Sequence, residues 1–261
     1  MKKNKIKFKV LLIIEHNTFF ISEFISKFLQ IKSNKYIINH AFIVKKVNSD
    51  QNINFYMIKN FFFLTFKEKI IFLKKIIIRK IVTLNKPKKY DLKKIIKSHN
   101  IKVTEINDRL SKYKKLIKEI KPSLIVNSAS LYVREDILKI PRFGCVNRHS
   151  SMLPAGGGFF PIFYAITYKE PIGTTVHFMS KNIDKGMPVI QKQIRINKKN
   201  NTVFKLYEQS FIDSPMLINK AINLVMNKRK FKINKSIKPS YRSFPKKKDW
   251  EEFRKKNIPW I

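Results

Sequence analysis

An asparagine and a histidine, Asn147 and His149, lie two residues apart at the end of an apolar run, and an aspartate follows at Asp184. Alternate residues of an extended strand leave the same face, so the amide and the imidazole can face one space. Three consecutive glycines occupy positions 156–158. Because polar side chains beside a glycine-rich turn are typical of active sites, this stretch is the candidate site.

These three side chains suit acyl transfer to an amine. Asn147 supplies an amide donor, His149 exchanges protons near neutral pH, and Asp184 carries a fixed negative charge. The donor can stabilise the oxyanion of a tetrahedral intermediate, while the imidazole donates to that oxygen or takes the amine proton. The carboxylate can orient the imidazole or a relaying water. No side-chain nucleophile is needed if the amine attacks directly.

Two other chemistries use residues of the same stretch. A serine hydrolase would need Ser150 or Ser151 presented to His149, but sequence neighbours have poor geometry for this and no G-x-S-x-G elbow occurs. A metal site could combine His149, His177 and Asp184, but no close H-x-x-x-H or H-x-x-E spacing supports it. We therefore expect no metal, and we expect His177 to be a structural histidine.

The chain is strongly basic, with Lys+Arg 56, Asp+Glu 17 and a formal net charge of +39 over 261 residues. Such a charge is typical of proteins that contact polyanions or anionic membranes. The lysines are spread throughout, however, and accompany the abundant Ile, Asn and Phe that an AT-rich genome favours. We expect a solvated surface, with a functional basic face as the alternative.

The single cysteine, Cys145, excludes an intrachain disulfide framework and fits a reducing cytoplasm, where we expect the protein to act. Its apolar neighbours predict a buried, inert thiol.

The basic amino terminus resembles a signal peptide, but the apolar run 10–14 is too short. No stretch approaches the roughly 18 apolar residues of a membrane span, so no transmembrane segment is expected.

Hydrophobic patterning predicts an α/β fold. A strand at 7–14, a helix at 22–30 and a strand at 37–44 form a β-α-β opening, which favours a parallel, doubly wound sheet. The first turn lacks glycine, so no NAD or FAD site is expected. Further predicted strands cover 103–106, 123–126, 174–179 and 189–196, and further helices cover 108–120, part of 131–140, 161–168 and 202–227.

Two segments stand outside this pattern. Residues 61–84 form a basic helical insertion whose apolar positions 66, 70, 73, 77 and 81 make one stripe. We expect that stripe to cover the sheet, with a helix lying on an anionic membrane as the alternative. Residues 235–248 read as an extended tail, which Tyr241, Phe244 and Trp250 would dock to the body.

The ordered motifs N-R-H-S-S-M-L-P, G-T-T-V-H-F-M and I-D-K-G before a glutamine resemble the formyltransferase family. The positions that match the family pattern are Asn147, His149, Ser151, Leu153, Pro154, Gly173, Thr175, His177, Asp184, Gly186 and Gln191. The resemblance implies a Rossmann-like formyltransferase fold with a mostly parallel sheet. It also implies catalysis by Asn147, His149 and Asp184, with 10-formyltetrahydrofolate as co-substrate.

The resemblance also implies where folate binds. In the family, the pterin contacts the loop after the strand that precedes the motif, here residues 128–133, and the block that follows the motif histidine. The residues expected to contact folate are Ser130, Leu131, Tyr132, Val133, Ser151, Met152, Leu153 and Pro154. The turn Ala-Gly-Gly-Gly departs from the family, where a basic or aromatic residue often precedes a single glycine. That turn borders the acceptor.

We expect a formyltransferase catalytic domain at 1–227, carrying the insertion 61–84, and a basic C-terminal extension at 228–261. Full methionyl-tRNA enzymes add a barrel of roughly 100 residues, which does not fit after Gln193. The favoured acceptor is therefore a small primary amine, an amino sugar linked to a nucleotide or a lipid, and expected to be phosphorylated. The alternatives are a methionyl-tRNA formyltransferase-like enzyme without the barrel and a non-catalytic polyanion-binding protein.

Overall fold

A computed structural model describes residues 8–15, 19–31, 33–45, 61–197, 201–229 and 236–261. The amino-terminal residues 1–7, which include the predicted start of the first strand, lie outside these ranges. So does Lys235, the predicted start of the tail.

Seven strands form a central sheet in the order β3-β2-β1-β4-β5-β7-β8, and two short strands, β6 and β9, pair separately. The strands are β1 Phe8–Glu15, β2 Tyr36–Val44, β3 Lys102–Ile106, β4 Leu124–Ser128, β5 Cys145–His149, β6 Gly157–Gly158, β7 Gly173–Phe178, β8 Pro188–Gln193 and β9 Tyr241–Arg242. β1 to β5 are parallel, whereas β7 and β8 are antiparallel. The predicted mostly parallel α/β sheet is confirmed.

The helices cover both faces of the sheet. They are α1 Ile21–Gln30, α2 Phe66–Asn85, α3 Pro87–Tyr90, α4 Leu92–Ser98, α5 Lys114–Ile120, α6 Glu135–Leu138, α7 Pro161–Tyr168, α8 Val203–Met226 and α9 Lys247–Arg254. The helix predicted at 108–120 begins instead as a 3₁₀ turn, Leu110–Tyr113, because Arg109 is extended with ψ 136°. None of the described helices is long and apolar enough to cross a membrane.

The core lies on both sides of β1. Val10 and Leu12 belong to one buried apolar cluster, whereas Leu11 and Ile13 belong to another. Burial on both faces explains why this strand is an uninterrupted apolar run rather than an alternating one. Strand order reverses beside β1, with β2 on one side and β4 on the other. Ligands of open α/β sheets bind at the carboxyl ends of the strands near such a reversal.

The expectation that the stripe of α2 covers the sheet was wrong. Phe66 is 79% exposed and Ile77 is 56% exposed. The opposite face meets the body instead. There the buried Glu68 accepts two hydrogen bonds from Arg254, of 2.9 and 2.7 Å, and one of 2.8 Å from the Trp260 amide. The ion pair of Glu68 with Arg254, here called the clamp, determines which face of α2 packs on the protein. The pattern of apolar residues does not reveal that face.

The tail is more ordered than predicted. Within residues 236–248, β9 pairs in parallel with the glycine turn, and α9 begins at Lys247. Phe244 and Trp250 are buried, as the docking prediction requires, whereas Tyr241 is 49% exposed. Phe244 stacks on Phe159 with ring centroids 4.0 Å apart. The division of the chain at 227 stays a proposal.

Candidate active site

Three polar side chains from adjacent strands form a row across the sheet. Strand register places Asn127 of β4 beside Asn147 of β5, and Asn147 beside His177 of β7. The Asn127 amide nitrogen donates to Asn147 Oδ1 over 2.8 Å, and Asn147 Nδ2 lies 3.4 Å from His177 Nε2. The amide of Asn147 is thus held from both sides.

Backbone carbonyls at both ends of the row determine which atom donates and which accepts in each of its hydrogen bonds. Asn127 Nδ2 also donates to the Ala129 carbonyl over 2.9 Å, so its nitrogen faces Asn147 and the Asn147 oxygen must accept. His177 Nδ1 lies 2.8 Å from the Phe178 carbonyl, which can only accept, so Nδ1 carries a proton. Burial and the neighbouring His149 lower the pKa of His177 to about 4. Nε2 is therefore a lone-pair acceptor at neutral pH, and Asn147 turns its NH₂ group towards it.

Asp184 stands between the two imidazoles. Its carboxylate lies 3.7 Å from His149 Nε2 and 3.6 Å from His177 Nε2, and its side chain is only 8% exposed. The Gly158 amide donates to Asp184 Oδ2 over 2.9 Å. The turn that carries Asp184 closes against β7 at Gly186, where a Cβ would lie 1.6 Å from the Phe178 carbonyl oxygen. Only glycine permits that approach.

The glycine turn holds both His149 and Asp184. His149 Nε2 lies 2.9 Å from the Gly156 carbonyl, so this nitrogen carries a proton and donates it to the turn. Gly156 therefore anchors the imidazole, as Gly158 anchors the carboxylate. Within the described ranges, no group of three or more His, Cys, Asp or Glu side chains is placed to hold a metal ion.

Residues 240–242 support the glycine turn. The Gly156 amide donates to Ser240 Oγ over 2.8 Å, and the Gly157 amide donates to the Ser240 carbonyl over 3.0 Å. Gly158 has a φ of +91°, and a Cβ there would lie 2.0 Å from the Arg242 carbonyl oxygen. Residues 240–242 thus complete a wall of the candidate site, which sequence reasoning did not foresee.

The turn after His149 is built around Thr175. Its hydroxyl donates to the Ser151 carbonyl over 2.7 Å and accepts from the Leu153 amide over 3.1 Å. Gln191 donates to the Leu153 carbonyl over 2.6 Å and to Thr175 Oγ1 over 3.0 Å. The Leu153–Pro154 bond is cis. Thr175 and Gln191, which match the family pattern, therefore hold the backbone of the block that is predicted to bind folate.

The predicted folate-binding residues fall into two groups. Ser151, Met152 and Leu153 are buried within the turn, and Pro154 is half-buried. On the preceding loop, Val133 is buried, Leu131 is half-buried, and Ser130 and Tyr132 are exposed. The Ser130 amide donates to Glu15 over 2.7 Å, which ties this loop to the carboxyl end of β1. Their contacts with folate stay a prediction.

Asn127 is the functional candidate that sequence reasoning missed. It follows the predicted strand 123–126 directly, and an amide ending a buried strand is a recognisable signal.

Cys145 is buried, as predicted, and burial raises the pKa of its thiol to about 12. An inert thiol is consistent with that value.

Comparison with known proteins identifies the family that this chain resembles. The model of the formyl transferase family matches residues 67–218. A methionyl-tRNA formyltransferase of Ehrlichia ruminantium is 34% identical over 110 residues, which cover 41% of this chain and 36% of the relative. The match thus spans about a third of that relative's length.

Solved structures share the fold. A sugar N-formyltransferase from Shewanella sp FDAARGOS_354 superposes with a TM-score of 0.58 at 18% identity, covering 90% of this chain and 76% of that one. The formyltransferase PseJ from Anoxybacillus kamchatkensis superposes with a TM-score of 0.50 at 21% identity, covering 63% and 90%. The family match takes in more than half of the chain, including Asn147, His149 and Asp184, and the chain therefore belongs to the formyl transferase family.

Proposed function

We propose that this protein is an N-formyltransferase that moves the formyl group of 10-formyltetrahydrofolate to a primary amine. The observation that carries the proposal is the fixed Asn147 amide, whose NH₂ group is turned by Asn127 towards the side where His177 and Asp184 lie. Membership of the formyl transferase family supports the same reaction. PseJ supports the donor, because its structure was solved with tetrahydrofolate and a formamido sugar.

Each polar group of the candidate site has a role in this reaction. Asn147 Nδ2 donates to the formyl oxygen as negative charge develops during attack by the amine. His149, whose Nε2 proton is donated to the Gly156 carbonyl, accepts at Nδ1 the proton that the amine loses and, once protonated there, can stabilise the same oxygen. Asp184 relays that proton, directly or through one water, towards the departing folate nitrogen. The formyl carbon gains a bond to the amine and loses its bond to folate.

The favoured acceptor is an amino sugar carried on a phosphorylated group, either a nucleotide or a lipid. PseJ supports the nucleotide form, because its bound product is a UDP-linked sugar. The Asp184 carboxylate lies against the glycine turn, which borders the acceptor in the family. Exposed lysines at 181 and 185 flank that carboxylate in sequence and suit a phosphorylated group.

A methionyl-tRNA formyltransferase-like activity is the second candidate. The 34% identity with the Ehrlichia enzyme favours it, and so does the net charge of +39. A non-catalytic polyanion-binding protein on this scaffold would share the charge but would not use the candidate site. The acceptor that is formylated separates these functions.

An acceptor panel tests the proposal. The protein is incubated with 10-formyltetrahydrofolate and, separately, UDP-linked 4-amino sugars, methionyl-tRNA, a simple primary amine or no amine. Tetrahydrofolate release is followed by absorbance and the formamide by mass spectrometry. The proposal predicts a formamide of a UDP-amino sugar. If methionyl-tRNA were the only acceptor formylated, the protein would instead have the methionyl-tRNA formyltransferase-like activity. Release of formate without an amine would indicate a hydrolase.

A further inference from the structure

One face of α2 carries a row of large apolar side chains that point to solvent. This exposed stripe consists of Phe66, Ile70, Leu73, Ile77, Ile81 and Leu84. The spacing of three and four residues keeps these side chains on one side of the helix over about 27 Å, at 1.5 Å per residue. Leu73 and Ile77 at its centre are 48% and 56% exposed, and Leu84 at its end is 79% exposed.

The stripe lies roughly opposite the face of α2 that packs on the protein, because the two sets of positions differ by about half a turn. Glu68 on the packing face is clamped by Arg254, and the Phe72 ring lies 5.7 Å from the Phe19 ring. Lys75 sits over the Phe204 ring at 4.7 Å, and Arg79 pairs with Glu23 at 3.1 Å. The helix is therefore anchored with its stripe facing away from the core.

Cations border the stripe on both sides. By helical position, Lys67 and Lys74 lie along one edge, and Lys69 and Lys80 along the other. The single acidic residue of α2, Glu68, is buried in the clamp. The solvent-facing surface of this helix thus combines an apolar centre with positive edges and carries no negative charge.

We propose that the exposed stripe is a docking surface for an anionic lipid membrane, on which α2 lies parallel to the surface. Apolar side chains enter the boundary between headgroups and acyl chains, while flanking lysines meet anionic headgroups. A second copy of this chain fits less well, because antiparallel pairing of two such helices brings lysine edges together. A nucleic acid would use the lysines but would leave the stripe exposed to water. The inference is independent of the acceptor.

The test is co-sedimentation of the full chain with phosphatidylcholine vesicles that contain either no phosphatidylglycerol or about one third of it. The stripe variant carries Leu73→Glu and Ile77→Glu. The control variant carries Ile212→Glu and Met216→Glu on α8, whose side chains are 48% and 55% exposed. Both pairs match in exposure and both lower the net charge by the same amount, so they differ only in where apolar surface is lost.

The proposal predicts that the native chain and the control variant sediment with the anionic vesicles. The partition coefficient of the stripe variant onto the same vesicles should be at least about tenfold lower. Circular dichroism and thermal melting check that both variants fold. An equal fall in vesicle binding by both variants would show that binding depends on net charge and not on the stripe, and would overturn the proposal. Absence of native binding would overturn it too, as would a concentration-dependent dimer that the stripe variant alone abolishes in sedimentation velocity.

Discussion

Removal of the Asn127 side chain is expected to slow catalysis without weakening folate binding. Asn127 is 1% exposed, and its amide nitrogen donates to Asn147 Oδ1 over 2.8 Å. In Asn127→Ala, that donor is gone and the Asn147 amide can rotate, so its NH₂ group points at the formyl oxygen for only part of the time. The turn after His149 keeps its own contacts. The folate-binding loop loses the hydrogen bond from Asn127 to the Ala129 carbonyl but stays tied to β1 by the hydrogen bond between the Ser130 amide and Glu15, so we expect folate binding to change little.

The size of the effect follows from the hydrogen bond that is lost. A neutral hydrogen bond contributes about 1 kcal/mol, and leaving a buried acceptor unpaired costs about 1–3 kcal/mol. We expect a rise in the barrier of about 1.5 kcal/mol, which lowers kcat about tenfold. Asn147→Ala removes the donor itself and should cost about 3 kcal/mol, or more than a hundredfold in kcat.

A double-mutant cycle measures whether Asn127 acts through Asn147. Steady-state kcat and KM are determined for the native chain, for Asn127→Ala, for Asn147→Ala and for the double variant. If Asn127 only positions Asn147, the double variant is as slow as Asn147→Ala, and KM for folate changes less than about twofold. Additive losses, or a loss confined to KM, would refute the positioning role. Thermal melting separates either outcome from unfolding.

Asp184→Asn should lower kcat by about 10²–10⁴-fold while keeping the melting temperature, since the Gly158 amide still finds an oxygen acceptor; a near-normal rate would remove Asp184 from proton transfer. Burial alone would raise the pKa of Glu68, but hydrogen bonds from Arg254 and the Thr65 and Trp260 amides outweigh it and lower that pKa below its usual value. The stabilisation is therefore present above the unfolded pKa of about 4.3 and is lost as pH falls through the folded pKa. Glu68→Gln should reduce unfolding free energy by about 2 kcal/mol at pH 7 in urea titrations, and the difference should shrink in acid; a difference independent of pH would contradict the clamp. Gly158→Ala should lower activity and destabilise the fold by more than about 1 kcal/mol, because its Cβ would meet the Arg242 carbonyl at 2.0 Å. Unchanged activity and melting would show that the glycine turn does not need that pairing.

Local patterns were enough to predict much of the fold. The buried run of β1 and the polar ends of β5 follow from hydrophobicity and strand period, which are properties of neighbouring residues. The ordered motifs brought Asn147, His149 and Asp184 into one hypothesis. In the structure Asp184 lies 3.7 Å from His149, and His177 lies between Asp184 and Asn147.

Other features depend on contacts between distant parts of the chain. The face of α2 that packs is chosen by Glu68 and Arg254, which lie far apart in sequence. The two-residue pairing of β9 with the glycine turn is too short to leave a periodic signal. Asn127 becomes significant only through strand register, which places it beside Asn147. None of these could be read from periodicity alone.

The most direct test of the proposed function is formation of a formamide from 10-formyltetrahydrofolate and an amine, measured with the native chain and with Asn147→Ala in parallel. The proposed function predicts a formylated UDP-amino sugar and stoichiometric tetrahydrofolate with the native chain, and a rate more than a hundredfold lower with the variant. No tetrahydrofolate release with any amine by folded native protein would contradict it.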